Sequence, residues 1–239
     1  MSLAIAVKAA DGVVLLADSR TTASIDGMNY RRDDVPKIIR VGQHPVALVG
    51  EIELLEPVII RAGIACNPFQ GENTFSRDCN LIGESLRASF TNIYGSFDQG
   101  LKSMPGYQTA GIFVGHGKYG DEEGSFIYQV EPQTYFGPRW KNGIALAGQH
   151  IHGGAYYLCR FLEPKMKIRE AAYLAYFCMR EVNSLDGTVG GGIHIWSVQN
   201  NKAHDFTEEW QGEFSKRHAL AVESMRNWFK PQASLGEVG

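Results

Sequence analysis

Cysteine is scarce and scattered: four residues in 239, at Cys66, Cys79, Cys159 and Cys178, without the paired spacing of a metal site. Cys66 and Cys79 are close enough in sequence to pair. The first residues, however, lack the charged and then apolar regions of a secretion signal, so reduced, mostly buried thiols are expected. No apolar run approaches the roughly 20 residues that a membrane helix needs. No charge of one sign dominates, because 23 basic and 26 acidic residues leave a formal charge of −3. That balance gives neither nucleic acid nor an anionic membrane an electrostatic reason to bind. Internal repeats and linker-like stretches are missing too. These absences leave one cytoplasmic domain over residues 1–239, with 230–239 as a flexible tail, and they call for no metal or other cofactor.

What is present is a regular succession of apolar segments. Residues 3–7 and 13–17 predict two strands joined by a hairpin turn over Ala10-Asp11-Gly12. Residues 37–41 and 46–49 predict a second pair, and 52–64 and 81–97 carry helical spacing, with 66–73 as a polar loop. Strands are expected at 109–114, 125–130, 134–136 and 144–147, then helices at 153–163 and 168–183, broken by Pro164. A strand at 193–196 precedes a last helix capped by Thr207, with Glu208 and Glu209 in its first turn. Trp210, Phe214, Ala221, Met225 and Trp228 form an apolar stripe on that helix, expected to serve packing. Helices in pairs between antiparallel hairpins predict an α+β fold of two stacked sheets with helices on both outer faces.

Ser2 is the first chemical candidate. A Met before a small residue is normally trimmed, which would give Ser2 a free α-amino group. One residue would then hold a hydroxyl nucleophile and a base titrating near pH 8. Taken alone, Ser is simply a common second residue.

The segments 2–8 (SLAIAVK), 11–20 (DGVVLLADSR) and 37–39 (KII), then 144–148 (IALAG), 171–175 (AAYLA) and 186–195 (DGTVGGGIHI), occur in order. This series resembles the β-type subunits of proteasomes, which are N-terminal nucleophile (Ntn) hydrolases, and is most similar to the bacterial proteasome-like branch. The likeness covers roughly residues 2–60 and 140–200. It implies a four-layer αββα sandwich, in agreement with the layering read from periodicity.

The resemblance also implies a site. Ser2 falls at the nucleophile, where the family normally has Thr. Asp18 and Arg20 fall at the end of the second strand, Lys37 at the catalytic lysine, and Asp186 at the acidic residue before the glycine turn. Gly50 is the implied source of an oxyanion-binding N–H. On this reading Lys37, as an ammonium, depresses the pKa of the Ser2 hydroxyl and amine, Asp18 keeps Lys37 charged, and Asp186 positions the amine. Thr21, Val35 and Val49 would line the substrate pocket, with Glu51 and Glu53 close by. Each residue also has an ordinary explanation: a surface ion pair for Asp18 and Arg20, an edge-strand charge for Lys37, a turn for Asp186-Gly187.

Three positions depart from the family pattern. Ser2 lacks the β-methyl that restricts χ1, and Gln149 and Val189 stand where hydroxyls are usual. His150 or His152 would restore polarity nearby, or serve at a helix start or interface. The implied function is a peptidase working on unfolded polypeptide or peptides inside a homo-oligomeric ring or double ring, with an ATP-dependent unfoldase as the partner such a chamber would take. Two alternatives remain at this point: an inactive scaffold subunit of the same fold, and an Ntn amidase or transpeptidase acting on another substrate.

Overall fold

The computed structural model describes residues 2–25, 28–50, 52–65, 75–95, 109–119, 122–148, 151–185, 187 and 189–229. Strands β1 (Leu3–Ala9) and β2 (Gly12–Asp18) form the expected hairpin around Ala10 and Asp11. They are followed by a small hairpin, β3 (Thr21–Ile25) and β4 (Met28–Arg32), and then by β5 (Ile38–Val41) and β6 (His44–Val49). Helices α1 (Ile52–Ala65) and α2 (Phe75–Tyr94) lead into β7 (Ala110–Tyr119), β8 (Glu122–Val130), β9 (Arg139–Trp140) and β10 (Ile144–Gly148). The chain continues through α3 (Ile151–Phe161), α4 (Ile168–Leu185), β11 (Ile193–Gln199), β12 (Lys202–Asp205) and α5 (Thr207–Phe229).

Two five-stranded antiparallel sheets result, ordered β10-β1-β2-β11-β12 and β5-β6-β7-β8-β9. Strand alternation sorts the side chains of the first sheet. Leu3, Ile5, Val7, Val14 and Leu16 pack under the α4 layer, while Ala4, Ala6, Val13, Leu15 and Ala17 face the other sheet. The inter-sheet core is rich in alanine, with Ala47, Ala110, Ala145 and Ala147 joining those of β1 and β2. The second sheet buries Val46, Leu48, Phe113 and Val130 against Leu54, Val58, Leu86 and Phe90 of α1 and α2. Each fully buried Leu or Phe contributes roughly 2–3 kcal/mol. The four-layer αββα arrangement predicted from the sequence is therefore the one observed.

Several local expectations are corrected. Residues 134–136 are not a strand: Pro132–Thr134 is a turn of 3₁₀ helix, and Tyr135 and Phe136 follow with φ of 53° and 56°. Pro132 presets the turn, and burial of Phe136 holds the chain against α2. Helix α2 starts at Phe75 rather than 81 and ends at Tyr94. Strand β12 was not expected; Asn200 and Asn201, at φ 49° and 60°, form the two-residue turn into it. Thr207 is not the acceptor that caps α5. Asp205 Oδ1 takes the Thr207 N–H at 2.9 Å, and Thr207 Oγ1 accepts from the Ile195 N–H. The α5 stripe packs only in its first half: Trp210 and Phe214 are buried, but Met225 and Trp228 are 42% and 82% exposed. The loop expected at 66–73, Cys66 and the tail 230–239 lie outside the described residues.

Cys79 and Cys178 are buried and Cys159 is exposed. Burial pushes the Cys178 thiol up to about 12 and the Cys79 thiol well above its ordinary value, so neither is a thiolate at neutral pH.

His44, at the start of β6, is buried with Nε2 3.9 Å from Asp78 Oδ2 of α2. Burial lowers its imidazole below the ordinary value, and Asp78 only opposes this. Between that lowered value and about pH 6.5 the unfolded chain binds the extra proton, so stability falls as the pH drops through this window. The melting temperature is expected to fall below about pH 6.5, and His44→Gln to flatten part of that slope. Identical slopes in the two proteins would exclude His44 as the source.

Candidate active site

The site grows from the open ends of two neighbouring strands. The register that pairs Ala4 with Ala17 brings the start of β1 beside Asp18, the last residue of β2. Asp18 is 1% exposed, and its carboxylate is fully engaged. Oδ1 accepts the Leu3 N–H at 2.9 Å and the Lys37 ammonium at 2.7 Å, while Oδ2 accepts the Gly190 N–H at 3.0 Å. The Leu3 N–H belongs to the peptide that Ser2 begins. Lys37 and the backbone of Ser2 therefore meet at one carboxylate oxygen, and Ser2 is itself buried. Ser2 has the same strand parity as Ala4 and Ala6, on the face turned to the second sheet.

Lys37 stands just before β5 and also donates to the Arg20 carbonyl. Burial pulls its ammonium below the ordinary lysine value, and the charge and hydrogen bond of Asp18 pull the other way. An ammonium in this balance is held by one carboxylate and is easily biased by any further charge.

Arg20 builds the frame around this pair. Its Nε and Nη2 fork onto Asp33 at 2.8 and 3.2 Å, and Nη1 donates to the carbonyls of Gly187 and Val189 at 2.6 and 3.1 Å. The guanidinium thus ties the segment after β4 to the turn before β11, and only its carbonyl oxygen reaches Lys37. Arg31 makes a second fork onto Asp33. In that turn Gly190 has φ 149°, and a Cβ there would come within 2.6 Å of Asn183 Oδ1 and 2.7 Å of Arg20 Cζ. Glycine is required for the Gly190 N–H to reach Asp18.

The remaining predicted residues are placed as follows. Gly50 follows the last ladder pair of β6, Val49 with Ala110, and is exposed at φ 127°. A Cβ there would meet Thr109 Cα at 2.4 Å. Thr21 opens β3 and Val35 donates its N–H to the Ser19 carbonyl at 3.2 Å, both half-buried. Val49 is fully buried in the inter-sheet core, not presented to solvent. Val189 is buried and offers no hydroxyl. Asp186, Gln149, His150 and Glu51 lie outside the described residues, as do the side chains of His152 and Glu53.

Sequence reasoning missed two participants. Asp33, the partner of Arg20, sits in a run of arginines and aspartates that gives no sign of which one turns inward. His194 had a readable signal: it alternates with Ile193 and Ile195 and so takes the inter-sheet face of β11. Among the described residues no cluster of His, Cys, Asp and Glu could hold a metal ion, and no helix is long and apolar enough to cross a membrane.

The frame just described, an Asp at the end of the second strand holding a buried Lys beside the chain's beginning, can be set against known structures. Three solved chains superpose over almost the whole molecule. The Anbu (Gly-1) mutant from Hyphomicrobium sp. strain MC1 is 18% identical, with a TM-score of 0.71, covering 99% of this chain and 100% of its own. Anbu (ancestral beta-subunit) from Yersinia bercovieri is 14% identical, with a TM-score of 0.73, covering 98% and 99%. The helical assembly of the Anbu complex from Pseudomonas aeruginosa gives 16%, 0.72, and 98% of each chain. The chain shares the fold of the Anbu structures. At such low identity the likeness is one of fold. No sequence-family profile and no curated protein matches the chain. The Anbu fold nonetheless agrees in class with the resemblance carried by residues 2–60 and 140–200.

Proposed function

We propose that the chain is an N-terminal-nucleophile peptidase, with Ser2 as nucleophile once Met1 is removed. The carrying observation is that one buried oxygen of Asp18 receives both the Lys37 ammonium and the N–H of the peptide that Ser2 begins. An ammonium held there lowers the pKa of the nearby hydroxyl and α-amino group, which favours a neutral amine able to act as base at neutral pH. The hydroxyl attacks a peptide carbonyl while the α-amino group accepts its proton through a water. The tetrahedral oxyanion is received by the Gly50 N–H, and the amine returns the proton to the leaving nitrogen. A second water then hydrolyses the Ser2 ester, with the α-amino group again as base. Asp18 keeps Lys37 charged and Arg20 fixes the frame. Asp186 orients the α-amino group, and Thr21 and Val35 border the side-chain pocket, while Val49 backs it from the inter-sheet core.

Helical assembly of the Pseudomonas aeruginosa Anbu complex supports a homo-oligomer here as well. On this reading the copies form a ring or double ring in the cytoplasm around a chamber for unfolded polypeptide, which an ATP-dependent unfoldase could feed. Burial of Val189, where the family resemblance leads one to expect a hydroxyl, favours the second reading, an inactive scaffold subunit.

Intact mass measurement before and after a peptide epoxyketone separates the two. That warhead closes its ring only on a residue bearing both a hydroxyl and a free α-amino group. Loss of Met1 and a stoichiometric adduct on Ser2 are expected. A retained Met1, or a free Ser2 that takes no adduct, would favour the scaffold.

A further inference from the structure

His194 stands directly across β11 from Ala17, and its neighbour Ile193 from Asp18. Paired residues share a face, so His194 is on the inter-sheet side with Ala17, half-buried at the same open end as the Lys37–Asp18 pair. Charged groups approach it from three elements. Asp18 lies at the end of β2, Lys37 before β5 and Asp205 at the end of β12, all within electrostatic reach of its ring. Arg40 of β5 lies farther along the same strand face, with its guanidinium 5.1 Å from the Trp196 ring and bonded to the Ala203 carbonyl. The peptidase chemistry outlined above gives His194 no task.

We propose that His194 is a positioning residue of this site, whose neutral ring leaves Lys37 in sole possession of Asp18 and whose protonation displaces that arrangement. The inference rests on the proposed peptidase reading. Its physical basis is competition: Asp18 is a single buried carboxylate, and a second cation at the neighbouring register position of β11 repels Lys37 while sharing the same counter-charge. Burial holds His194 below the ordinary imidazole value; Asp205 opposes this, Lys37 reinforces it and Asp18 opposes it. The ring is therefore neutral at neutral pH and takes its proton only in more acidic solution. At that point the imidazolium repels the Lys37 ammonium and competes with it for Asp18. Displacement of Lys37 takes its charge away from Ser2.

Acid inactivation should then involve two protons, one on the α-amino group and one on His194. The pH dependence of epoxyketone adduct formation on Ser2 is expected to steepen at low pH from about tenfold per unit towards about a hundredfold. His194→Asn, with an uncharged side chain of similar reach, should show only the tenfold limb, whatever its rate at neutral pH. An asparagine variant that keeps the hundredfold limb would indicate a merely structural histidine and overturn the proposal.

A second measurement does not depend on activity. The His194 ring titration, followed by NMR of histidine-labelled protein and assigned with His194→Asn, should have a midpoint that rises in Lys37→Met. It should fall in Asp205→Asn, a substitution that retains a cap for α5. Midpoints unmoved by both substitutions would refute the coupling. Absence of a Ser2 adduct in the wild-type protein would instead defeat the peptidase reading, while the ring titration would still report on the coupling.

Discussion

Asp18→Ala is expected to remove about 3–5 kcal/mol of folding stability, the cost of stripping one partner from a buried ion pair. For a chain of this size that corresponds to a melting temperature lowered by roughly 10 °C. The size of the effect follows from what Asp18 holds. Lys37 is 8% exposed, so solvent has little access to replace the lost carboxylate. The Leu3 and Gly190 N–H groups lose their acceptor in the same substitution. Asp18→Ala combined with Lys37→Met should be more stable than Asp18→Ala alone, because the stranded charge is then gone. Thermal unfolding of the two single variants and the double variant measures this cycle. A double variant no more stable than Asp18→Ala would show that the stranded backbone N–H donors, and not the ion pair, account for the loss.

The largest effect on reactivity is expected from Ser2→Ala, which should lower peptide hydrolysis and abolish epoxyketone capture, with a rate loss of about 10³-fold or more. Alanine keeps the α-amino group and the Ser2–Leu3 peptide, so the Leu3 hydrogen bond to Asp18 survives. Stability should change by no more than about 0.5–1 kcal/mol, the usual range for loss of one hydroxyl hydrogen bond. Rate and melting temperature would thus separate, whereas Lys37→Met should depress both. Wild-type hydrolysis by Ser2→Ala would remove Ser2 from the chemistry and with it the proposed function.

The clearest parts of the sequence were those where one local rule governs. Uninterrupted apolar runs at residues 3–7 and 13–17, separated by a turn signal, located β1 and β2, because a strand sandwiched between layers needs apolar residues on each side. Asp18, at the end of an uninterrupted apolar run, was conspicuous for the same reason: a charge there must either be solvated or be paired. The β3–β4 hairpin was also within reach. Thr21 to Ile25 is rich in β-branched residues and is followed in the sequence by Asp26-Gly27, a strong turn signal.

Residue pattern alone therefore determined the layering of the fold and the strands β1 and β2, and the resemblance to proteasome β-type subunits joined Ser2, Asp18, Arg20 and Lys37 as a set. Tertiary structure decided what each of them touches. Lys37 reaches Asp18 across 19 residues, Arg20 reaches Gly187 across 167, and the Gly190 N–H reaches Asp18 across 172. It also turned Phe136 into a core plug where a strand was expected, gave the α5 cap to Asp205, and left Met225 and Trp228 uncovered. Local periodicity reports which face of an element is apolar, but which distant element covers that face, and which carboxylate meets which cation, is fixed only when the sheets stack and bring remote strand ends to one edge.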